Sequence, residues 1–499
     1  MSGGFIGPYG NVAYALGDSF QILPLIVITA GILLIVLHGI IERRQSAHLS
    51  SSLLAILVLI LAIASSIVLW DKGHTAFDNM VTGDDFAQFF NVLFAFLGIV
   101  TIIVTYPYLR VRQLPATEFN ALLLSAIAGM MVMASSLALP SLFVGLELLS
   151  ISLYILCGYT RTEEQAQESA AKYLLMGGYA SAFVLYGMAL IYGATGSVFF
   201  SNIAKALSVG QSVLSNPLLL AGIAAVVVGF AFKASAAPFH MWTPDVYEGA
   251  PVPVTAFMSV GTKAAAVAMI IRVFIQAVPQ ESNVWSYMLA FTAAVTIIVG
   301  NMLAIRQNNI KRLLAYSGIA QIGYILIGVI SASRPGTAAA LFYLAVYLFM
   351  NFGAFVLTIS ITDGSGEKSQ ISDLRGIGYR NPLAGIALTV LMLSLAGFPP
   401  TAGFIGKVFL FTSGVAAGFT WLVFIAAIFS VVSVYYYLRV VIYTWTPIEQ
   451  AEAHQQVNTS GTILSTITGI AVIFFGIAPA YALNIANTAL HGVVNHVLH

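Results

Sequence analysis

Apolar stretches of about 20 residues alternate along the chain with short polar connectors, the spacing expected of helices that cross a hydrocarbon layer about 30 Å thick. Fourteen such stretches are predicted, at approximately residues 21–41, 50–70, 86–108, 117–137, 140–159, 169–193, 217–237, 253–276, 286–305, 311–331, 338–361, 384–413, 418–445 and 462–485. Segment 1–20 lacks the basic start of a cleavable signal, and the run from Ile22 to Ile41 is long enough to remain as a span.

Basic residues test this count independently, because Lys and Arg in short loops gather on the cytoplasmic side. With the N-terminus outside, the cytoplasmic connectors hold Arg43, Arg44, Arg110, Arg112, Arg161, Lys172, Arg306, Lys311, Arg312, Lys368, Arg375 and Arg380, whereas the outer ones hold Lys72, Lys205 and Arg334. Twelve against three supports an even number of spans and an outward N-terminus, since one miscounted helix would scramble the segregation.

Composition sharpens the class. Of 499 residues, 59% are hydrophobic and 8% charged, against about 25% charged in an ordinary soluble domain. So few charges cannot cover a water-soluble particle of this size, and the chain reads as an all-α polytopic membrane protein. A net charge of +1 leaves no electrostatic footprint for nucleic acid. The single cysteine, Cys157, excludes an intramolecular disulfide and a cysteine-based metal cluster. No nucleotide or haem motif is present, and the terminal His491, His496 and His499 lack metal-ligand spacing.

Candidate chemistry therefore rests on the ionisable groups inside spans, which are costly there and mark functional sites by default. Glu147 is the one acidic residue near a predicted span centre, and Lys233, Lys263 and Lys407 are the amines. Lysine suits proton exchange because loss of water disfavours its charged form and a nearby carboxylate restores it. Lysines that snorkel to headgroups or neutralise a structural carboxylate are the competing explanation. Arg272 and Arg439 lie near span ends, where snorkelling or helix capping is expected. Pro238 follows Lys233 by five residues and Pro399-Pro400 precedes Lys407 by seven, so the seventh and twelfth spans should break. Broken backbone at membrane depth needs protein or water beside it; a plain packing kink is the alternative. His240, next to the first break, can either relay protons or bind frayed backbone.

The two broken spans lie five apart, which suggests two five-helix units inverted relative to one another, spans four to eight and nine to thirteen. The domain boundaries read accordingly: an N-terminal three-helix segment 1–116, a first repeat 117–276, a second repeat 277–445, and a last span within 446–499. The halves differ chemically. The tenth span has no counterpart of Glu147 and offers only Tyr316, Ser317 and Gln321.

The stretch GFAFKASAAPFHMWTPDVYEGAPVPVTAFMSVGTK, residues 229–263, resembles subunit N (subunit 2) of complex I, NADH-quinone oxidoreductase, including its plastid and cyanobacterial forms. GLELLSISLYILCGY, AAKYLLMGGYASAFVLYG, NNIKRLLAYSGIAQIGY and AGFPPTAGFIGKVFLF support the likeness, which runs through about 85–445. The resemblance implies a proton-translocating membrane-arm subunit driven by quinone reduction elsewhere in the complex. It implies that Glu147 pairs with Lys233, that Lys263 is a central relay and Lys407 a terminal site, with His240 and the Tyr316 region at weaker family positions. Gln321 stands where these subunits often carry histidine, which puts a relay through that side chain in doubt. The implied partners are neighbouring antiporter-like and small membrane subunits and lipid. No cofactor is expected on this chain, quinone and NADH or ferredoxin being used by the whole complex. The implied location is the bacterial inner membrane, or the thylakoid for a plastid or cyanobacterial type. A cation/proton antiporter subunit and a structural membrane-arm spacer are the alternative functions.

Overall fold

The computed structural model describes residues 17–41, 47–209, 216–359, 361–362, 369–447, 456–457 and 459–494. Arg43, Arg44, Lys368, His496 and His499 lie outside the described residues. The first helices are α1 (Leu23–Ile41), α2 (Ala47–Leu69), α3 (Asp85–Val111), α4 (Ala116–Ser135), α5 (Leu139–Cys157), α6 (Glu164–Thr195) and α7 (Phe200–Val209). The middle of the chain forms α8 (Pro217–Lys233), α9 (Trp242–Gly249), α10 (Val252–Ile271), α11 (Ser282–Ile305), α12 (Ile310–Ile330), α13 (Arg334–Tyr347) and α14 (Gly353–Ile359). The last third forms α15 (Ile377–Arg380), α16 (Pro382–Ala396), α17 (Ala402–Ala416), α18 (Thr420–Thr444), α19 (Thr459–Ile477), α20 (Pro479–Thr488) and α21 (His491–Val494).

Among the described residues twelve helices are long and apolar enough to cross a membrane, and three shorter apolar ones, α8, α16 and α17, fall on the stretches expected to break. Helix α8 stops at Lys233 and the chain turns through Ser235 at φ +63° before α9. The second break follows α16, where Gly397 at φ +92° takes the left-handed position and its N–H bonds the carbonyls of Leu393 and Ser394. A side chain there would be strained, which is why glycine closes the helix. Sequence patterning shows no strands, yet two short antiparallel pairs occur: Thr75–Ala76 with Val81–Thr82, and Ile361–Thr362 with Gln456–Val457. Stretches of two residues are too short to register as alternation.

Connectors segregate to opposite ends of the bundle. At one end backbone bridges join Val81 to Ser136 and Ala138 to Phe199. At the other, Arg112 pairs with Glu163, and Asn309 bridges to Gln370. Helix α10 runs through the middle, every residue from Val252 to Ile271 buried. A helix apolar on all sides must be enclosed, and its Ala, Gly, Ser and Thr residues let neighbours approach closely.

At the far end of that central helix Arg272 takes the capping role expected near a span end and adds a buried ion pair to it. It does not snorkel. It is fully buried in a π-helical turn, Arg272–Ala277. Its guanidinium donates to both carboxylate oxygens of Asp84, at 2.7 and 2.5 Å, and its Nε caps the end of α4 through the Ala134 carbonyl at 2.7 Å. Asp84 in turn caps α3 by accepting from the Ala87 N–H. One ion pair thus ties three helices. Breaking such a buried pair leaves a charge uncompensated, at a cost of about 3–5 kcal/mol. Asp84→Ala is expected to lower the thermal unfolding midpoint of the detergent-solubilised protein sharply; an unchanged midpoint would contradict this role.

Candidate functional site

Lys233 is the last residue of α8, where the free carbonyls of a helix end favour a cation. Its Nζ donates to Ser150 Oγ at 2.8 Å and reaches Tyr173 Oη at 3.4 Å. The direct pairing expected with Glu147 is not formed among the described ion pairs. Ser150, one turn further along α5, takes the ammonium, while Glu147 is half-buried and accepts a hydrogen bond from Ser181 of α6. Ser150, Ser181, Tyr154 and Lys233 line one narrow cleft between α5, α6 and α8. The carboxylate and the amine thus each take a serine hydroxyl of the same neighbourhood.

Lys263 lies in the middle of α10 and is fully buried. Its Nζ has no hydrogen-bond partner among the described residues and sits 5.4 Å from the ring centre of Tyr247 and 6.0 Å from that of Tyr347. Gly318 makes room for it, since a Cβ there would lie 2.4 Å from Nζ. One turn before Lys263, Ser259 accepts from Asn351 Nδ2 at 2.7 Å, and its carbonyl accepts from Tyr347 at 3.3 Å. Asn351 belongs to a second π-helical turn, Leu348–Phe352. Ser235 Oγ, His240 Nδ1 and Thr243 Oγ1 at the first break, with Asn351 Oδ1, are likewise buried without a described partner. Buried polar atoms are almost always satisfied, by protein or by ordered water. His240 is buried, its ring 6.4 Å from that of Tyr316.

Lys407 lies in α17 and reaches back across the second break. Its Nζ donates to the Leu395 and Ala396 carbonyls at 3.2 and 2.9 Å and to Ser430 Oγ at 3.0 Å, over the Tyr324 ring at 5.0 Å. Broken helix α16 thus offers its last carbonyls to the lysine, as a helix C-terminus does to a cation.

A short polar succession links the Lys263 neighbourhood to Lys407. Ser317, adjacent to Gly318, is 2.5 Å from Tyr437 Oη; Gln321 Nε2 donates to Tyr437 Oη and to the Leu395 carbonyl, both at 3.1 Å; and Leu395 accepts from Lys407. Tyr343 donates to Gln321 Oε1 at 2.7 Å. Gln321 therefore holds this succession together although an amide does not titrate. Arg439 caps α11 through the Ile305 carbonyl at 3.2 Å, the capping role expected near a span end.

Ser150, Tyr173, Asn351, Tyr343 and Tyr437 escaped the sequence reading because they are neutral. The signal that could have found them is helical spacing: Tyr343 and Tyr347 are one turn apart, as are Glu147 and Ser150.

An antiparallel helical bundle with two interrupted helices, a buried lysine at each interruption and a third on the central helix defines the class of antiporter-like integral membrane subunits. Residues 134–433 match the family described as NADH:quinone oxidoreductase/Mrp antiporter, TM. NADH-quinone oxidoreductase subunit N of Trichlorobacter lovleyi is 39% identical over 94% of this chain and 96% of its own length. Subunit N 1 of Solibacter usitatus is 41% identical over the same shares. A chain in the structure of respiratory complex I from Thermus thermophilus with bound aureothin superposes with a TM-score of 0.79 at 33% identity, over 93% of this chain and 99% of that one. A chain of the Mrp complex from Dietzia sp. shares the fold, with a TM-score of 0.84 at 18% identity over 95% of this chain and 98% of that one. The chain belongs to the subunit N family of NADH-quinone oxidoreductase.

Gly318→Ala puts a methyl group against Lys263, and overpacking of this kind costs about 1–3 kcal/mol. In combination with Lys263→Ala the penalty should fall, because the clashing amine is gone, but not to zero, because the Tyr347 hydroxyl stays 2.7 Å from the same Cβ position. A thermal-unfolding double-mutant cycle checks this, and strict additivity would show that Gly318 does not accommodate the lysine.

Proposed function

We propose that the chain is a proton-translocating membrane-arm subunit of a complex I-type quinone oxidoreductase, and that Glu147, Lys233, Lys263 and Lys407 carry the protons. The observation that carries this reading is the placement of three buried amines along the bundle, with a polar succession from Lys407 through the Leu395 carbonyl, Gln321, Tyr437 and Ser317 that ends beside Gly318, the residue that makes room for Lys263. A structural spacer has no need of amines at this depth, where each charge costs about 2.5–3.5 kcal/mol on insertion scales.

Protons enter on the side of the basic connectors, reach Lys233 and Lys263, pass laterally to Lys407 and leave at the outer face. Glu147 and Lys233 each bond a serine of one cleft, Ser181 and Ser150, so a change of charge at Glu147 acts on the lysine through the cleft's hydroxyl dipoles as well as through space. Lys263, without a protein acceptor, exchanges with whatever water reaches it, and His240 is a further station at the first break. Tyr437 and Ser317 donate and accept hydroxyl protons; Gln321 orients them.

On this reading the bundle has fourteen spans, the twelve continuous helices and the two broken ones, arranged as inverted repeats of spans four to eight and nine to thirteen. The breaks five spans apart, each with a lysine beside it, support the repeat. The N-terminus lies on the outer side of a bacterial inner membrane, or of a thylakoid for a cyanobacterial or plastid type. Neighbouring subunits of the membrane arm are the partners. The redox chemistry, with NADH or ferredoxin as donor and a quinone as acceptor, belongs to other subunits.

Lys263→Met removes the central amine while keeping an apolar side chain of similar length. In the assembled complex it is expected to lower the proton-to-electron ratio by the whole contribution of this subunit. A ratio equal to that of the unaltered enzyme would refute the assignment.

A further inference from the structure

Helix α9, eight residues long, lies between the first break and the central helix and touches the surroundings of two lysines. Trp242 at its start stacks on Tyr173 at 4.5 Å and 11°, the tyrosine whose hydroxyl meets Lys233. Tyr247, on the same helix, faces Lys263 at 5.4 Å, and the two rings of α9 meet edge to face at 6.2 Å. A succession of Tyr173, Trp242 and Tyr247 thus spans the distance between the two amines. Moving α9 moves Trp242 and Tyr247 against Tyr173, which stays on α6.

So short a helix does not hold itself in place. Its other face is tied to α6 and α12. Asp245 accepts from Lys172 of α6 at 3.2 Å and from Arg312 of α12 at 2.9 Å; the same Arg312 nitrogen reaches Glu248 at 2.7 Å, and Asn309 Nδ2 donates to Glu248 at 3.1 Å. Lys172 also pairs with Glu168 at 2.7 Å, and Lys311 Nζ reaches the Glu248 carbonyl at 3.5 Å. All the ion-pairing side chains in this set are partly exposed, between 27% and 63%, so single pairs are weak and the clamp depends on their number.

We propose that Asp245 and Arg312 are positioning residues: by clamping α9 between α6 and α12 they fix the aromatic succession and so set the passage of protons between Lys233 and Lys263. The proposal rests on the proton-translocation reading and assigns the clamp a part in it. Asp245 and Arg312 touch none of the three lysines and act through Trp242 and Tyr247.

The test uses the assembled oxidoreductase carrying Asp245→Asn or Arg312→Gln, with Asp245→Glu, Arg312→Lys and Lys263→Met measured in parallel. Both neutral variants are expected to lower the proton-to-electron ratio per assembled complex and to make amide hydrogen exchange across residues 242–249 roughly fivefold faster. The charge-keeping variants are expected to restore both readouts. Adding Asp245→Asn to Trp242→Leu should lower the ratio no further than Trp242→Leu alone. Should Asp245→Asn fail to assemble, Glu248→Gln, which removes one arm of the clamp, carries the test with the same expectations. An unchanged ratio in the neutral variants while Lys263→Met lowers it overturns the clamp and leaves the proton reading standing. An unchanged ratio in Lys263→Met overturns both. Unchanged exchange across α9, or a loss that the charge-keeping variants do not restore, also overturns the clamp.

Discussion

An ammonium group enclosed by apolar helices has to find something that replaces water, and much of this bundle is shaped by that demand. Three lysines meet it in three ways. Lys233, at the end of a half-helix, takes the hydroxyls of Ser150 and Tyr173. Lys407 takes the last carbonyls of the other half-helix and the hydroxyl of Ser430. Lys263, on an unbroken helix, has among the described residues no hydrogen-bond partner and lies over the faces of Tyr247 and Tyr347. An intact helix spends its carbonyls internally, so a break beside a lysine is the cheapest way for the chain itself to supply acceptors at membrane depth. This explains why interruptions and amines coincide in the α8–α9 and α16–α17 regions.

The difference among the three also orders them. Amines with good protein acceptors hold their charge in place, whereas an amine held only by ring faces depends on mobile partners. Lys263 is in the second position, at the centre of a helix buried along its whole length, with polar groups on either side. Towards the first break stand His240, Thr243 and Ser235; towards the second, Ser317, Tyr437 and Gln321. The bundle thereby holds one amine by ring faces and two by protein acceptors, the difference on which the proposed transfer path rests.

Much of this was legible in the sequence because hydrocarbon is an unforgiving solvent. Apolar run lengths gave the helices, prolines gave the breaks, and the scarcity of charge singled out Lys233, Lys263 and Lys407 without any geometry. Two kinds of feature were illegible. Neutral side chains such as Ser150, Tyr437 and Asn351 carry no depth signal, since hydroxyls and amides occur throughout membrane helices. Tertiary pairing was hidden as well: Arg272 looked like an end-of-span cation, but its partner Asp84 lies 188 residues away in sequence. The same holds for Glu147, whose distance from Lys233 depends on which residue of α5 faces α8, and a turn decides between Ser150 and the carboxylate.

The most direct test of the account is to resolve ordered water in the assembled membrane arm. The account predicts water bonded to Lys263 Nζ, and to Ser235 Oγ, His240 Nδ1, Thr243 Oγ1 and Asn351 Oδ1, in chains that extend from the first break towards Ser317 and Tyr437. A dry cavity around Lys263, with none of these atoms hydrated, would contradict it.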